Sequence, residues 1–118
     1  MIERYTLPDM GRIWSDDNKF SKWLQFEILA CEAMAELGDV PADAVARIKK
    51  NARFDVKRVL EIEETVHHDV IAFLTNVAEH IGNDSRYMHL GLTSSDLLDT
   101  TLACQIKEAG ELLLERVA

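Results

Sequence analysis

Two adjacent histidines and an aspartate, His67, His68 and Asp69, lie at the start of an apolar periodic segment within the stretch EETVHHDVIAF, residues 63–73. Histidine is the side chain whose charge changes near neutral pH. A protonated imidazole held by a carboxylate suits anion binding or proton transfer, and we expect Asp69 to orient the imidazole. The alternative is structural: Asp69 caps the following helix, where free N–H groups favour negative charge.

A second stretch, HLGLTSSD at residues 89–96, places three hydroxyls at a predicted helix N-terminus. These are Thr93, Ser94 and Ser95, and the first turn of a helix is a suitable place to bind an anion. The alternative is a plain capped helix, because the Thr93-x-x-Asp96 spacing is close to a capping box.

A third stretch, RYTLPDM at residues 4–10, contains Arg4 next to Tyr5. The arginine side chain can grip phosphate or carboxylate with two parallel hydrogen bonds. The alternative is an N-terminal arginine that is merely solvated.

The histidines do not have the spacing of a metal site. His67 and His68 are neighbours and would point roughly 100° apart on a helix, whereas a helical zinc pair is usually spaced i, i+4. His80 and His89 lie in other predicted elements. We therefore expect no metal site.

The composition is that of one small, ordered, helical domain: 118 residues, 47% hydrophobic and 29% charged, with 5 Gly and 2 Pro. The net charge of −8 without a basic cluster argues against nucleic acid as a partner. We identify no signal peptide and no apolar run of about 20 residues, so we expect a cytoplasmic protein without a membrane span. Cys31 and Cys104 are expected to be reduced and buried.

The apolar spacing predicts an all-α fold. Ser15 is a candidate N-cap of a helix that ends at Gly38, Pro41 lies near the first turn of a short helix, and Asp55 can cap the next. A further helix follows the histidine pair and stops at Gly82. The first dozen residues are expected to be irregular.

The last predicted helix begins around residues 93–95 and is apolar on more than one face. One stripe contains Leu98, Leu102, Ile106, Ala109, Leu113 and Val117, whereas Leu97, Leu112 and Leu114 lie off it. Such a helix must be buried on more than one face, so we expect it to join a bundle with more chain or other subunits. No stop signal precedes Ala118, and we expect a chain that starts naturally at Met1 but ends in mid-helix.

Taken together, these stretches resemble the adenylosuccinate lyases of the fumarase/aspartase superfamily. The segment GLTSSDLLDT is specific to the superfamily, and the early Arg-Tyr pair and the His-Asp segment narrow the resemblance to this family. The resemblance covers essentially all 118 residues, through RYTLPDM, LACEAMAELG, LEIEETVHHDV, HHDVIAF and HLGLTSSDLLDT.

The resemblance implies a fold and an assembly. Residues 1–93 would form the N-terminal helical domain of the lyase, and residues 94–118 the truncated first helix of its central helical bundle. The family is a homotetramer in which each active site draws residues from three subunits. Its catalytic acid histidine and catalytic serine would lie beyond Ala118, so we expect these 118 residues to be inactive alone.

The resemblance also implies a reaction. The family eliminates fumarate from adenylosuccinate to give AMP, and from succinylaminoimidazole carboxamide ribotide, in purine biosynthesis. This β-elimination cleaves a carbon–nitrogen bond and needs no cofactor.

Individual residues take roles from the matching family positions. His68 would be catalytic by orienting or polarising the substrate. His89 would lie near the site. The expected substrate-binding residues are Arg4, Tyr5, His67, His68, Asp69, Thr93 and Ser94.

Two positions depart from the family pattern. His67 stands where arginine is usual, which removes a permanent charge and a bidentate fork. Asp9 stands where glutamate is common. Two rival interpretations remain: a sister enzyme such as an argininosuccinate lyase or a carboxymuconate cycloisomerase, and a non-catalytic helical assembly module.

Overall fold

The computed structural model describes all residues from Met1 to Ala118 and contains helices but no strands, which confirms the all-α prediction. Two short 3₁₀ helices, Glu3–Tyr5 and Gly82–Tyr87, accompany six α-helices. The α-helices are α1 (Pro8–Ile13), α2 (Asp16–Leu37), α3 (Ala42–Asn51), α4 (Val56–Val66), α5 (Asp69–Ile81) and α6 (Ser94–Val117).

The predicted helix boundaries are confirmed at their capping residues. The Ser15 hydroxyl accepts the N–H of Asn18 at 3.2 Å at the start of α2. The Asp55 carboxylate accepts the N–H of Arg58 at 2.8 Å at the start of α4. Gly38 ends α2 with φ of 86°, a left-handed conformation that glycine adopts without steric cost.

The prediction of an irregular N-terminus was wrong. Pro8 occupies the first position of α1, where its missing N–H costs nothing because that group has no partner within the helix. Before it, the Thr6 hydroxyl donates to the carbonyl of Ile2 at 2.7 Å and stabilises the first 3₁₀ turn. Proline therefore starts a helix here instead of interrupting one.

Four aromatic side chains form the centre of the core. Phe20 and Trp23 of α2 meet Phe73 of α5 with ring centroids 5.7 Å and 5.4 Å apart, and Phe54 lies 6.0 Å from both phenylalanines. Phe20, Trp23 and Phe73 are fully buried. This cluster joins α2 to α5 and thereby holds the α4–α5 connection, which carries the histidine pair, against the domain.

Helix α6 packs on its own chain mainly through polar side chains. Gln105 is buried and donates to the Ile13 carbonyl at 3.0 Å, and Glu108 accepts from Lys22 and, at 3.1 Å, from Asn18. Leu97 is the largest fully buried apolar side chain of this helix. The inward face therefore contains Ala109 of the predicted stripe together with Leu97, Thr101 and Gln105, which lie off that stripe.

Four residues of the leucine stripe of α6 are exposed in this chain, whereas Ala109 is buried and Leu98 is half-buried. Leu102, Ile106, Leu113 and Val117 are 48%, 56%, 55% and 85% exposed. This agrees with the expectation that the preceding helices do not cover α6 over its whole length. The prediction for Cys104 was wrong, because its position on α6 is exposed, whereas Cys31 is buried as expected; both thiols are free. No helix combines the length and the apolar character that crossing a membrane requires.

Candidate functional site

The histidine pair forms the whole connection between α4 and α5. His67 ends α4 in the left-handed conformation, with φ of 54°, and its N–H donates to the Glu63 carbonyl at 2.8 Å. His68 then adopts an extended conformation as the N-cap of α5. Histidine is one of the few residue types besides glycine that occur repeatedly at positive φ, so the sequence His-His allows a two-residue turn between packed helices.

The cap of α5 is His68 and not Asp69. The N–H of Ile71 donates to Nδ1 of His68 at 3.3 Å, and the Asp69 carboxylate accepts instead from the N–H of Val70 at 2.8 Å. Both side chains thus satisfy N–H groups of the first turn, which have no partner inside the helix. The alternative that a side chain of this segment caps α5 was therefore correct, but the capping residue is His68 and not Asp69.

This cap determines the tautomer of the His68 ring. Because Nδ1 accepts a hydrogen bond, it carries no proton, and Nε2 carries the N–H of the neutral imidazole. Asp69 Oδ1 lies 3.6 Å from Nδ1 and cannot receive a hydrogen bond from it in this state. The expectation that Asp69 orients the imidazole is corrected: the main-chain N–H of Ile71 orients it. The His68 side chain is 45% exposed, so its Nε2–H is available to a ligand.

His67 lies in an acidic environment. Its side chain lines an open surface depression together with Leu60, Glu63 and Glu64 of α4. Carboxylates beside a position proposed to bind an anion repel an anionic ligand. Its role in binding stays a prediction.

The N-terminus of α6 has the predicted capping arrangement. Thr93 is the N-cap, and its N–H donates to the Asp96 carboxylate at 2.9 Å. Ser94 is the first residue of the helix, and both Thr93 and Ser95 are exposed. The hydroxyls and the free N–H groups of the first turn therefore lie together at an exposed helix end, which suits an anion.

His89 lies just before this helix and is held by a residue that the sequence analysis did not single out. The fully buried Glu27 of α2 contacts Nδ1 of His89 through Oε1 at 2.5 Å and accepts the His89 N–H through Oε2 at 3.0 Å. The sequence contains one indication that Glu27 is buried. It lies one turn after Trp23 and one turn before Cys31, on the apolar stripe of α2.

The Glu27 carboxylate affects the pKa of a neighbouring thiol in the core. Burial raises the pKa of the Cys31 thiol to about 11, and the nearby Glu27 charge adds to that rise. A thiol with such a pKa stays protonated, and its S–H donates to the Tyr87 carbonyl at 3.3 Å.

Arg4 and Tyr5 lie in the first 3₁₀ helix, with the guanidinium carbon 4.8 Å from the centre of the tyrosine ring. Tyr5 is 72% exposed. The two residues make no hydrogen bond or ion pair with the histidine pair or with Thr93 and Ser94. Arg4 and Tyr5, the histidine pair and Thr93 with Ser94 are therefore not joined to one another by hydrogen bonds or ion pairs within one chain.

No group of three or more His, Cys, Asp and Glu side chains is arranged to hold a metal ion. The groups available for chemistry are the imidazoles of His67, His68 and His89, the Arg4 guanidinium and the hydroxyls at the start of α6. These are suitable hosts for an anionic ligand and for a proton donor.

Comparisons with known proteins show the family to which the chain belongs. Residues 3–118 match the profile of a protein family described as lyase. The chain is 61% identical over 117 residues to an adenylosuccinate lyase of Synechocystis sp., which aligns with 99% of this chain, and 50% identical over 115 residues to the adenylosuccinate lyase of Bacillus subtilis, which aligns with 98%. The chain spans 27% of the length of each of these two relatives.

A solved structure supports the same fold. The crystal structure of a fumarate lyase from Mesorhizobium sp. BNC1 superposes with a TM-score of 0.82 at 26% identity, covering 92% of this chain and 26% of that one.

Proposed function

The chain belongs to the lyase family, whose profile matches residues 3–118, and on that premise we propose that it forms the substrate-binding part of an adenylosuccinate lyase. The observation that carries this proposal is the identity of 61% and 50%, over nearly the whole chain, to two proteins that bear that name. All three candidate stretches lie within the matched residues.

The proposed reaction is a β-elimination. A base removes a proton from the carbon next to a carboxylate, the electron pair forms the double bond of fumarate, and the carbon–nitrogen bond breaks. An acid protonates the leaving nitrogen, which remains on AMP. The same chemistry releases fumarate from succinylaminoimidazole carboxamide ribotide. The steps require an acid and a base, so the proposal includes no cofactor.

Two stretches of the chain would bind the anionic parts of the substrate. Adenylosuccinate carries a phosphate and two carboxylates. Arg4 and Tyr5 would hold the nucleotide, and Thr93 and Ser94 would bind an anion at the N-terminus of α6, where dipole and hydroxyls act together.

His68 would be the catalytic residue of this chain. Its cap geometry supports a neutral ring that presents Nε2–H outward, a donor that can polarise or orient the substrate. Asp69 would lie beside the substrate, and His67 would take the place of the usual arginine with a weaker contact. His89 would stand near the bound anion.

The arrangement of the stretches supports a site assembled from several subunits. Within one chain no hydrogen bond or ion pair joins them, and the exposed residues Leu102, Ile106, Leu113 and Val117 of α6 offer a surface for helix packing. A homotetramer with a central helical bundle would cover that surface and could bring Arg4, His68 and Ser94 of different subunits together. In this proposal residues 1–93 form the N-terminal domain and residues 94–118 the first bundle helix. The enzyme would act in the cytoplasm.

The test is a substrate panel on the enzyme expressed from the complete gene. Adenylosuccinate and argininosuccinate are supplied separately, and the release of fumarate is followed by ultraviolet absorbance. Cleavage of adenylosuccinate alone supports the proposal. Cleavage of argininosuccinate alone assigns the chain to a sister enzyme, and a folded, assembled protein without lyase activity assigns it to a non-catalytic helical module.

A further inference from the structure

Glu27 is a carboxylate in the interior of the domain. Its side chain is fully buried in the middle of α2, one turn from the core residues Trp23 and Cys31. Burying an ionised carboxylate is costly unless it is paired and hydrogen-bonded. Both of its oxygens contact the same residue, His89, which lies 62 positions away in sequence.

The contact fixes which nitrogen of His89 carries a proton. An ionised carboxylate only accepts hydrogen bonds, so Nδ1 must donate across the 2.5 Å separation from Oε1. The remaining ring nitrogen, Nε2, is free for a ligand, and the side chain is 17% exposed. His89 lies four residues before Thr93, the N-cap of α6.

The backbone shows that the ring position is constrained. His89 has φ of 61°, a left-handed conformation that is uncommon for residues with a side chain, although histidine adopts it more often than most. Here the second oxygen of Glu27 accepts the His89 N–H at 3.0 Å and holds the backbone, while the first oxygen holds the ring.

We propose that Glu27 is a positioning residue that holds Nδ1–H of His89 and thereby presents Nε2 of that ring to the anionic substrate. This inference rests on the proposed lyase function. It extends that function to a buried residue that touches no substrate and acts only through His89. A carboxylate that fixes the tautomer and orientation of an imidazole is a recurrent device at catalytic and metal sites.

A double-mutant cycle in the complete enzyme tests this inference. Glu27→Gln keeps an oxygen that can accept the His89 N–H but removes the charge behind the ring, and His89→Gln removes the ring. We expect Glu27→Gln to lower kcat/KM on the order of 10- to 100-fold. In the His89→Gln background the same change should have little further effect, because the two residues act as one unit. Glu27→Asp should recover part of the activity.

The matched control is Glu36→Gln on the exposed end of α2, which should keep wild-type kcat/KM. Equal activity of Glu27→Gln and Glu36→Gln, or additive losses in the cycle, would overturn the inference. Additive losses would mean that Glu27 only stabilises the fold. If Glu27→Gln does not assemble, Glu27→Asp replaces it in the same cycle. A wild-type enzyme without activity on adenylosuccinate rejects the proposed function, and a cleaving enzyme with an additive cycle rejects only the role of Glu27.

Discussion

The N–H of Ile71 donates to Nδ1 of His68 at 3.3 Å, so one imidazole both caps α5 and exposes its Nε2–H. The structural role and the proposed catalytic role use different nitrogens of the same ring. They can therefore be separated by substitution, because asparagine is a preferred N-cap but has no group at the position of Nε2.

We predict that His68→Asn in the complete enzyme keeps the thermal stability within a few degrees and lowers kcat by about 100-fold or more. His68→Ala should lose the activity and also about 1 kcal/mol of stability, because the cap is absent. Steady-state kinetics and thermal unfolding of both variants measure the two effects. Asparagine with near wild-type turnover would remove His68 from the chemistry.

Two glycines should respond in opposite directions when replaced by alanine. Gly38 has φ of 86°, where a β-carbon meets no atom within 4 Å but the backbone conformation is strained. We expect Gly38→Ala to destabilise the chain by about 1 kcal/mol. Gly110 lies in the helical interior of α6 with open space around it, so Gly110→Ala should stabilise the chain by roughly 0.5–1 kcal/mol. Chemical denaturation of the 118-residue chain measures both, and equal signs would contradict the assigned backbone conformations.

We expect the ion pair between Arg47 and Asp84 to make the stability of the fold depend on pH in the acid range. The hydrogen bonds from Arg47 hold the pKa of Asp84 below its ordinary value of 3.8. The stabilisation is therefore fully present above that value and is lost as the pH falls through the lower folded pKa. Arg47→Gln should lower the melting temperature at pH 7 and flatten its decline below pH 4, whereas Lys50→Gln, which removes an unpaired exposed charge, should leave the slope unchanged. Parallel acid profiles for wild type and Arg47→Gln would contradict the pair.

The two thiols should differ in reactivity. Burial raises the pKa of Cys31 to about 11, and the thiolate is the reactive form, whereas Cys104 is exposed on α6. In the folded 118-residue chain a disulfide reagent at pH 8 should modify one thiol rapidly and the second only on unfolding. Cys104→Ser should abolish the fast phase. Two thiols that react at the same rate would show that the packing around Cys31 is wrong.

Much of the helical layout could be predicted because it follows from local rules. Ser15, Asp55 and Gly38 cap or end helices through contacts with residues a few positions away, and sequence patterns contain that information. Pro8 was predicted to interrupt regular structure, but it starts α1. Proline can do either, because it is excluded from the interior of a helix and tolerated in its first turn.

The candidate site could be predicted only in part, because two of its features depend on tertiary contacts. Whether His68 or Asp69 caps α5 is decided by the left-handed turn at His67, which packing of α4 on α5 imposes. The Glu27–His89 pair joins residues 62 positions apart. In the sequence, only the position of Glu27 on an apolar stripe indicates that this carboxylate is buried and needs a partner. The inward face of α6 was predicted only in part, because polar side chains such as Gln105 form some of its contacts.

The central claim is that the separate stretches of this chain meet in one site when subunits assemble. The most direct test mixes two inactive variants of the complete enzyme, His68→Asn and Ser94→Ala, under conditions that dissociate and reassemble the subunits. If the two residues of a site come from different subunits, about one quarter of the sites in a random mixture receive both native residues. We predict that fumarate release from adenylosuccinate recovers to that fraction of the wild-type rate. A reassembled mixture as inactive as its two parents would contradict the account.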